Sequence, residues 1–410
     1  MTLVLFQSSG AQMLPEKKIV LGVATSLAFL EGRESLMAVE LAVDEINQQG
    51  GIRIGPERYA LGIESIDLRG ADPNVQVSDA LQHFEEFIRE KKPHGIIVGP
   101  FRSEVMTLAM DIIAKYRIPL LGNIAMSPIT EAKILTDPHY KYVFRVGLNT
   151  QYLVEYLVNA MKFFRSTYGF DKVSIMVQDV VWAKTTASQL VKLYFAQSDW
   201  RIIGLHHYSP VTVDFSPGLS MANDSGAHII LTLFDRPESA ELVRQWKRLS
   251  PRSLLLGFIS PLVGPSAWNF FDGQIADALT VIFELGNIPA RRWEPATNFF
   301  NAFKEKFGRE IEAGHGPAPA YEAVHIFVEA VKKAGCLESD KIVTALEQTD
   351  RYGAMGRIRF HRGHQVVFGN EPSETALACI VQWQADGRRK IIYPLSIAES
   401  TIEIPFQAPY

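Results

Sequence analysis

KKIVLGVAT (17–25) and the SLMAVELAVDEINQQGG (35–51) that follows it set the fold. The first reads as a buried strand. In the second, Leu36, Val39, Val43 and Ile46 recur at helical spacing, and Gly50-Gly51 ends the helix. Outward from this pair the alternation repeats. YALGIESIDL (59–68) is a strand, VQVSDALQHFEEFIREKK (75–92) a helix and GIIVGP (95–100) a strand. A helix over 103–115 and the strand IPLLGN (118–123) continue it. The rhythm then restarts with a helix over about 150–165, KVSIMVQD (172–179) and a helix across 184–196. RIIGLHHYS (201–209), AHIILTLF (227–234), SLLLGFIS (253–260) and ALTVIFEL (278–285) are further strands. Helices near 294–307, 318–334 and 339–348 precede three short strands, RIRFHR (357–362), ACIVQWQ (378–384) and RKIIYP (389–394). Strands joined by helices imply parallel pairing with right-handed crossovers. The expected fold class is therefore α/β, with two doubly wound, mostly parallel lobes and a cleft between them.

Bulk properties agree. At 410 residues the chain is too long for one ordinary core, and 47% hydrophobic residues supply ample interior. The formal net charge is -4, with acids and bases interleaved, which argues against nucleic acid as a partner. No apolar stretch of about eighteen residues is present to cross a membrane. Cys336 and Cys379 stand apart with no CxxC or His/Cys cluster, so neither a structural metal nor a redox motif is indicated, and whether they pair is left open. MTLVLFQSSGAQMLPEKK opens the chain. Residues 1–14 read either as the end of a secretory signal lacking its basic start or as a plain leader.

In doubly wound sheets ligands sit beyond the carboxyl ends of the strands. The segments to watch are therefore LAFLEGRES (27–35), GPFRSE (99–104), GNIAMSP (122–128), QDVVWAK (178–184), FDRPES (234–239) and GFISP (257–261).

At this point the sequence resembles the type I periplasmic binding proteins, in their leucine/isoleucine/valine-binding branch of ABC-transporter receptors. The resemblance runs from Lys17 to Pro405 and is carried by an ordered succession of segments. AVELAVDEINQQGG (38–51), IIVGPFRSE (96–104), IPLLGNIAMSP (118–128) and YVFRVGLN (142–149) come first. DFSPGLSMANDSGAHIILTLF (214–234), PAYEAVHIFVEAVKKAG (319–335) and DGRRKIIYP (386–394) complete it. It implies three lobe crossings, near 144–148, 280–284 and 352–357. Lobe one is then 15–145 plus 283–352, lobe two is 148–280 plus 357–388, and 389–410 is a tail packing on the lobes. It further implies an exported chain, periplasmic or extracellular, which is a monomer. Such a chain closes on a small ligand, an amino acid or small organic acid, and hands it to an ABC permease. No cofactor is expected.

Each candidate site residue has a plainer alternative. Ser103 opens a helix after a strand, and the resemblance gives its hydroxyl the ligand carboxylate; the alternative is a simple N-cap. In GNIAMSP the family's threonine is replaced by Met126, leaving Ala125 and Ser127 for backbone or hydroxyl contacts and Met126 as an apolar wall. Trp182, on a segment that reads as the start of a loop, stands where many relatives carry a tyrosine over the ligand; core packing is the alternative. Tyr321 matches a cleft-facing tyrosine or is an amphipathic core position. Phe101 and Phe234 are expected to wall the pocket or to belong to the core.

The departures are sharper. Amino-acid binders of the family hold the ammonium with an acid where this chain has Ile259. A buried ammonium without a carboxylate is costly. Either the ligand has no α-ammonium or another acid, Glu31 or Asp235, takes over. Arg102 would grip a carboxylate in bidentate fashion, unless it and the two acids are solvated rim charges.

An enzyme is disfavoured, because GxGxxG, GxxxxGK[ST], HExxH and GxSxG are all absent. His361 and His364 lie in a basic turn with no nearby acid or cysteine. A stand-alone sensor of the same fold, signalling to a membrane partner, is the remaining alternative.

Overall fold

The computed structural model describes residues 17–72, 74–249 and 252–404; the leader 1–14 lies outside them. The first sheet comprises β1 (Lys18–Thr25), β2 (Ile52–Ile54), β3 (Glu57–Asp67), β4 (Gly95–Val98), β5 (Leu120–Gly122) and β6 (Val143–Arg145), in the order β2-β3-β1-β4-β5-β6. All its pairings are parallel except β2 with β3. β1 is the hub because Ile19, Leu21, Val23 and Ala24 are fully buried, so helices cover both of its faces. The chain leaves β1 for β3 on one side and returns as β4 on the other. That reversal opens a crevice at the carboxyl ends of β1 and β4.

The second lobe repeats the device. β7 (Lys172–Gln178), β8 (Arg201–Tyr208), β9 (Ile229–Phe234), β10 (Leu254–Ile259) and β11 (Leu279–Ile282) are parallel. Later in the chain β12 (Asp350–Gly353) and β13 (Gly356–Arg359) form a separate hairpin, after which β14 (Cys379–Trp383) and β15 (Arg389–Tyr393) add antiparallel strands to the second sheet. The order is β15-β14-β11-β10-β9-β7-β8, with the reversal between β7 and β9. The two reversal points face each other.

Two boundaries move relative to the sequence expectation. Residues 389–393, expected to open a tail packing on the lobes, are the edge strand of the second sheet. The third crossing also comes later than 352–357. His361–Val366 turns back beside β6, where Arg145 N–H donates to His364 O and Val366 N–H to Arg145 O. This return is a turn-rich segment with no apolar period to announce it. At the first crossing Gly147 is required by close approach, since a Cβ there would overlap the Asn123 carbonyl. One core cluster spans both lobes, and a smaller one lies on one face of the second sheet around Phe215, Phe234 and Trp246.

Candidate functional site

Between the lobes lies a cavity with an empty volume of about 670 Å³. From the first lobe come Phe29, Glu31, Phe101, Arg102, Ser103 and Met126, and from the second Trp182, Asp235, Arg236 and Phe258. Phe283 and His315, at the second crossing, close the back.

On the first lobe, Ser103 begins the helix Ser103–Tyr116 but does not cap it. Its Oγ instead accepts the N–H groups of Met126 and Ser127, each at 3.2 Å. The hydroxyl thus ties the β4 turn to the β5 turn and keeps its own hydrogen free to donate. Arg102 uses Nη2 on the Val75 carbonyl at 3.2 Å, while its Nε is buried without a partner.

Glu31, in the first turn of the helix Leu30–Gln48, is only 3% exposed. Burial pushes its carboxyl pKa up, and a hydrogen bond from Ser260 Oγ at 2.7 Å offsets part of that shift. Ser260 directly follows Ile259, so the carboxyl reaches across the cleft to the turn after β10.

On the second lobe, Asp235 accepts from Trp182 Nε1 and Gln178 Nε2, both at 2.6 Å. Trp182 lies on the first turn of the helix Val181–Leu193, not on a loop. Held by Asp235, the indole meets Phe258 and Phe283 edge-on, with centroids 6.1 and 6.3 Å away. Those two rings lie 4.3 Å apart. Arg236 crosses to the first lobe, where Nη2 donates to Ala71 O at 2.5 Å and the guanidinium sits 4.9 Å over the Phe29 ring. Phe29 in turn packs on Phe101 at 5.4 Å.

His315 is buried, with Nδ1 at 2.8 Å from Glu284 Oε1 and Nε2 at 2.8 Å from Ile124 O. Burial opposes its charge, but the Glu284 carboxylate and the carbonyl outweigh burial and raise its pKa. Since the carbonyl only accepts, Nε2 carries a proton, and the raised pKa favours a second one on Nδ1 toward Glu284.

Five expected residues are placed off the cavity wall. Phe234 and Ile259 end their strands facing the second core cluster, Phe234 against Phe215 and Tyr208. Side chains alternate along a strand, and the residue after each is the one that faces the cleft. Ala125 points to a small separate cavity behind the turn. Ser127 Oγ accepts from Ile129 N–H at 3.3 Å, inside its own turn. Tyr321 donates to Glu45 at 2.7 Å and stacks near Phe299, away from the cleft. Sequence reasoning missed Phe29, Arg236, Phe258, Phe283 and His315. Phe29, Arg236 and Phe258 fall within segments already flagged as strand-end turns, and a rule taking every residue of such turns would have found them. His315 had no local signal.

Two doubly wound sheets whose reversal points confront each other across an aromatic, charge-bearing cavity define a bilobal solute-binding protein. The chain belongs to the periplasmic binding protein family, whose model matches residues 20–387. It is 24% identical over 395 residues to a Leu/Ile/Val-binding protein homolog of Brucella melitensis, covering 92% of this chain and 89% of that one. Among solved structures, it resembles the branched-chain amino acid transporter substrate-binding protein LivJ of Streptococcus pneumoniae in complex with isoleucine. There the TM-score is 0.74 at 18% identity, covering 92% and 100% of the two chains. A solute-binding protein of R. palustris in complex with benzoate gives a TM-score of 0.71 at 14% identity, covering 94% and 98%. Among the described residues no group of three or more His, Cys, Asp or Glu is arranged to hold a metal ion.

Proposed function

We propose that this protein is the exported receptor of an ABC importer, binding rather than transforming its ligand, and that the ligand is a bulky apolar amino acid. The carrying observation is the polarity of the cleft. Buried Glu31, bonded to Ser260 across the lobes, lines the same cavity as Arg102 and the free Ser103 hydroxyl. Trp182, Phe258 and Phe283 add an apolar box to that lining. In this reading the ligand carboxylate meets Ser103 and Arg102, and its ammonium meets Glu31, which takes over from the acid absent at Ile259. Phe101 and Met126 wall the apolar body, and Asp235 fixes the indole. The membrane partner is a permease that reads the closed form.

The aromatic box and the benzoate-bound neighbour support a second reading, an aromatic acid without an ammonium, with Glu31 retaining its proton. Calorimetric titration with L-leucine, L-phenylalanine and benzoate separates the two. Binding of either amino acid supports the first reading, binding of benzoate alone the second, and binding of none of the three overturns both. A micromolar ligand at millimolar concentration should also stabilise the fold by about 4 kcal/mol.

A further inference from the structure

Three carbonyls of the turn Ile124–Ser127 are held by segments that cross between the lobes or abut a crossing. Ile124 O accepts from His315 Nε2 at 2.8 Å. Met126 O accepts from the N–H of Thr150, the first residue of the second lobe's opening helix, at 3.0 Å. Ser127 O accepts from Arg145 Nη2 at 2.7 Å. Two of these donors are cations anchored by buried acids. Arg145 Nε pairs with Glu131 at 2.6 Å, and both side chains are more than nine-tenths buried. His315 pairs with Glu284, which is completely buried at the second crossing. Glu284 gathers both crossings, because it also accepts from Leu148 N–H at 2.9 Å and from Gly316 N–H at 3.2 Å. The same turn gives its inward N–H groups to Ser103 Oγ. Surface side chains do not arrange themselves this way, and two buried ion pairs are a costly means of holding one turn.

We propose that His315 and Arg145 are positioning residues that join the ligand turn to the first and second crossings, so that the setting of this turn and the angle between the lobes change together. This rests on the reading that the cleft closes on a ligand. When the lobes swing, Leu148, Thr150 and Glu284 move with the crossings, and the two cations carry that motion to the 124 and 127 carbonyls. The turn then offers Ser103 in its closed setting only when the lobes are closed.

The test places spin labels on exposed Asp79→Cys and Glu238→Cys, one on each lobe, in a Cys336→Ser background; Cys379 is buried. The interlobe distance is measured on the full chain without ligand and with whichever of L-leucine, L-phenylalanine or benzoate binds. His315→Gln and Arg145→Met should each shift the ligand-free distribution to longer distances and raise the ligand dissociation rate about tenfold. Arg145→Lys keeps the charge and should fall between Arg145→Met and the parent. A merely structural role lowers the melting temperature but leaves distances and dissociation rates of the folded protein at parental values, and that result overturns the coupling. If His315→Gln does not fold, the Arg145 pair decides by the same criteria. The ligand-free distances need no ligand, so they separate failure of this coupling from failure of the amino-acid reading.

Discussion

The two walls of the cleft are built on opposite plans. The first lobe's wall is satisfied from behind, with Ser103, the 124–127 turn and the crossings hydrogen-bonded among themselves. On the second lobe, Ser260 and Arg236 find their partners, Glu31 and Ala71, only across the gap. Such contacts exist only while the cleft is shut. The first wall is therefore held through the crossings, whatever the ligand does, and the second carries the closing contacts. This division locates where mutations should cost stability and where they should cost affinity.

The largest effect should come from the back of the first wall. Glu284→Ala strands the His315 imidazolium and the Leu148 and Gly316 N–H groups in the interior. Removing one partner of a buried ion pair typically costs about 3–5 kcal/mol. A urea melt should show a loss of that size, and a loss below about 1 kcal/mol would mean that water enters the crossing and the wall is not rigidly held.

Glu31→Gln sharpens the comparison, because this residue belongs to one wall by sequence and to the other by its hydrogen bond. If it holds an ammonium, its loss should weaken amino-acid binding about 30-fold or more, since truncating one partner of a buried charge pair costs at least 2 kcal/mol. Benzoate binding should be unchanged. Stability moves the other way with pH. Burial raises the folded pKa of Glu31 above 4.5, so the folded state holds the proton more tightly than the unfolded chain. The favourable contribution is complete below about pH 4.5 and is lost as pH rises through the folded value. The variant stays neutral throughout. Its melting temperature without ligand should match the parent in acid and exceed it above the folded pKa; a constant difference across pH would show that Glu31 is not titrating in the cleft.

The same contrast explains what could be read in the sequence. Apolar runs such as KIVLGVAT and helical periods such as 36–46 name their elements locally, and the order of those elements fixes the reversal points. That marks the strand-end segments that contain Ser103, Trp182, Asp235 and Glu31, and the family resemblance singled out those four within them. What stayed hidden was directional or remote. Whether Phe234 or Asp235 faces the cleft depends on where the strand ends, by a single residue. His315 enters the site only because the chain crosses back beside Ile124, 191 positions away. Tyr321 stayed open between cleft and core because a helix with buried residues on several faces does not show which one meets the cleft.

The smallest effect should come from the outermost closing contact. Arg236 lies at the mouth, partly exposed, with one hydrogen bond to Ala71 O and its guanidinium over Phe29. Arg236→Gln removes a cation–π contact of about 0.5–1 kcal/mol at such a site and lengthens the reach to Ala71. Both interactions form only on closure, so association should be nearly unaffected while dissociation quickens about three- to fivefold. The unliganded melting temperature should change by less than the Glu284→Ala variant changes it, because no buried group loses its partner. Stopped-flow measurement with the bound ligand reads this directly. If association slows instead and dissociation is unchanged, Arg236 draws the carboxylate in from solvent, and the second wall takes part in capture as well as closure.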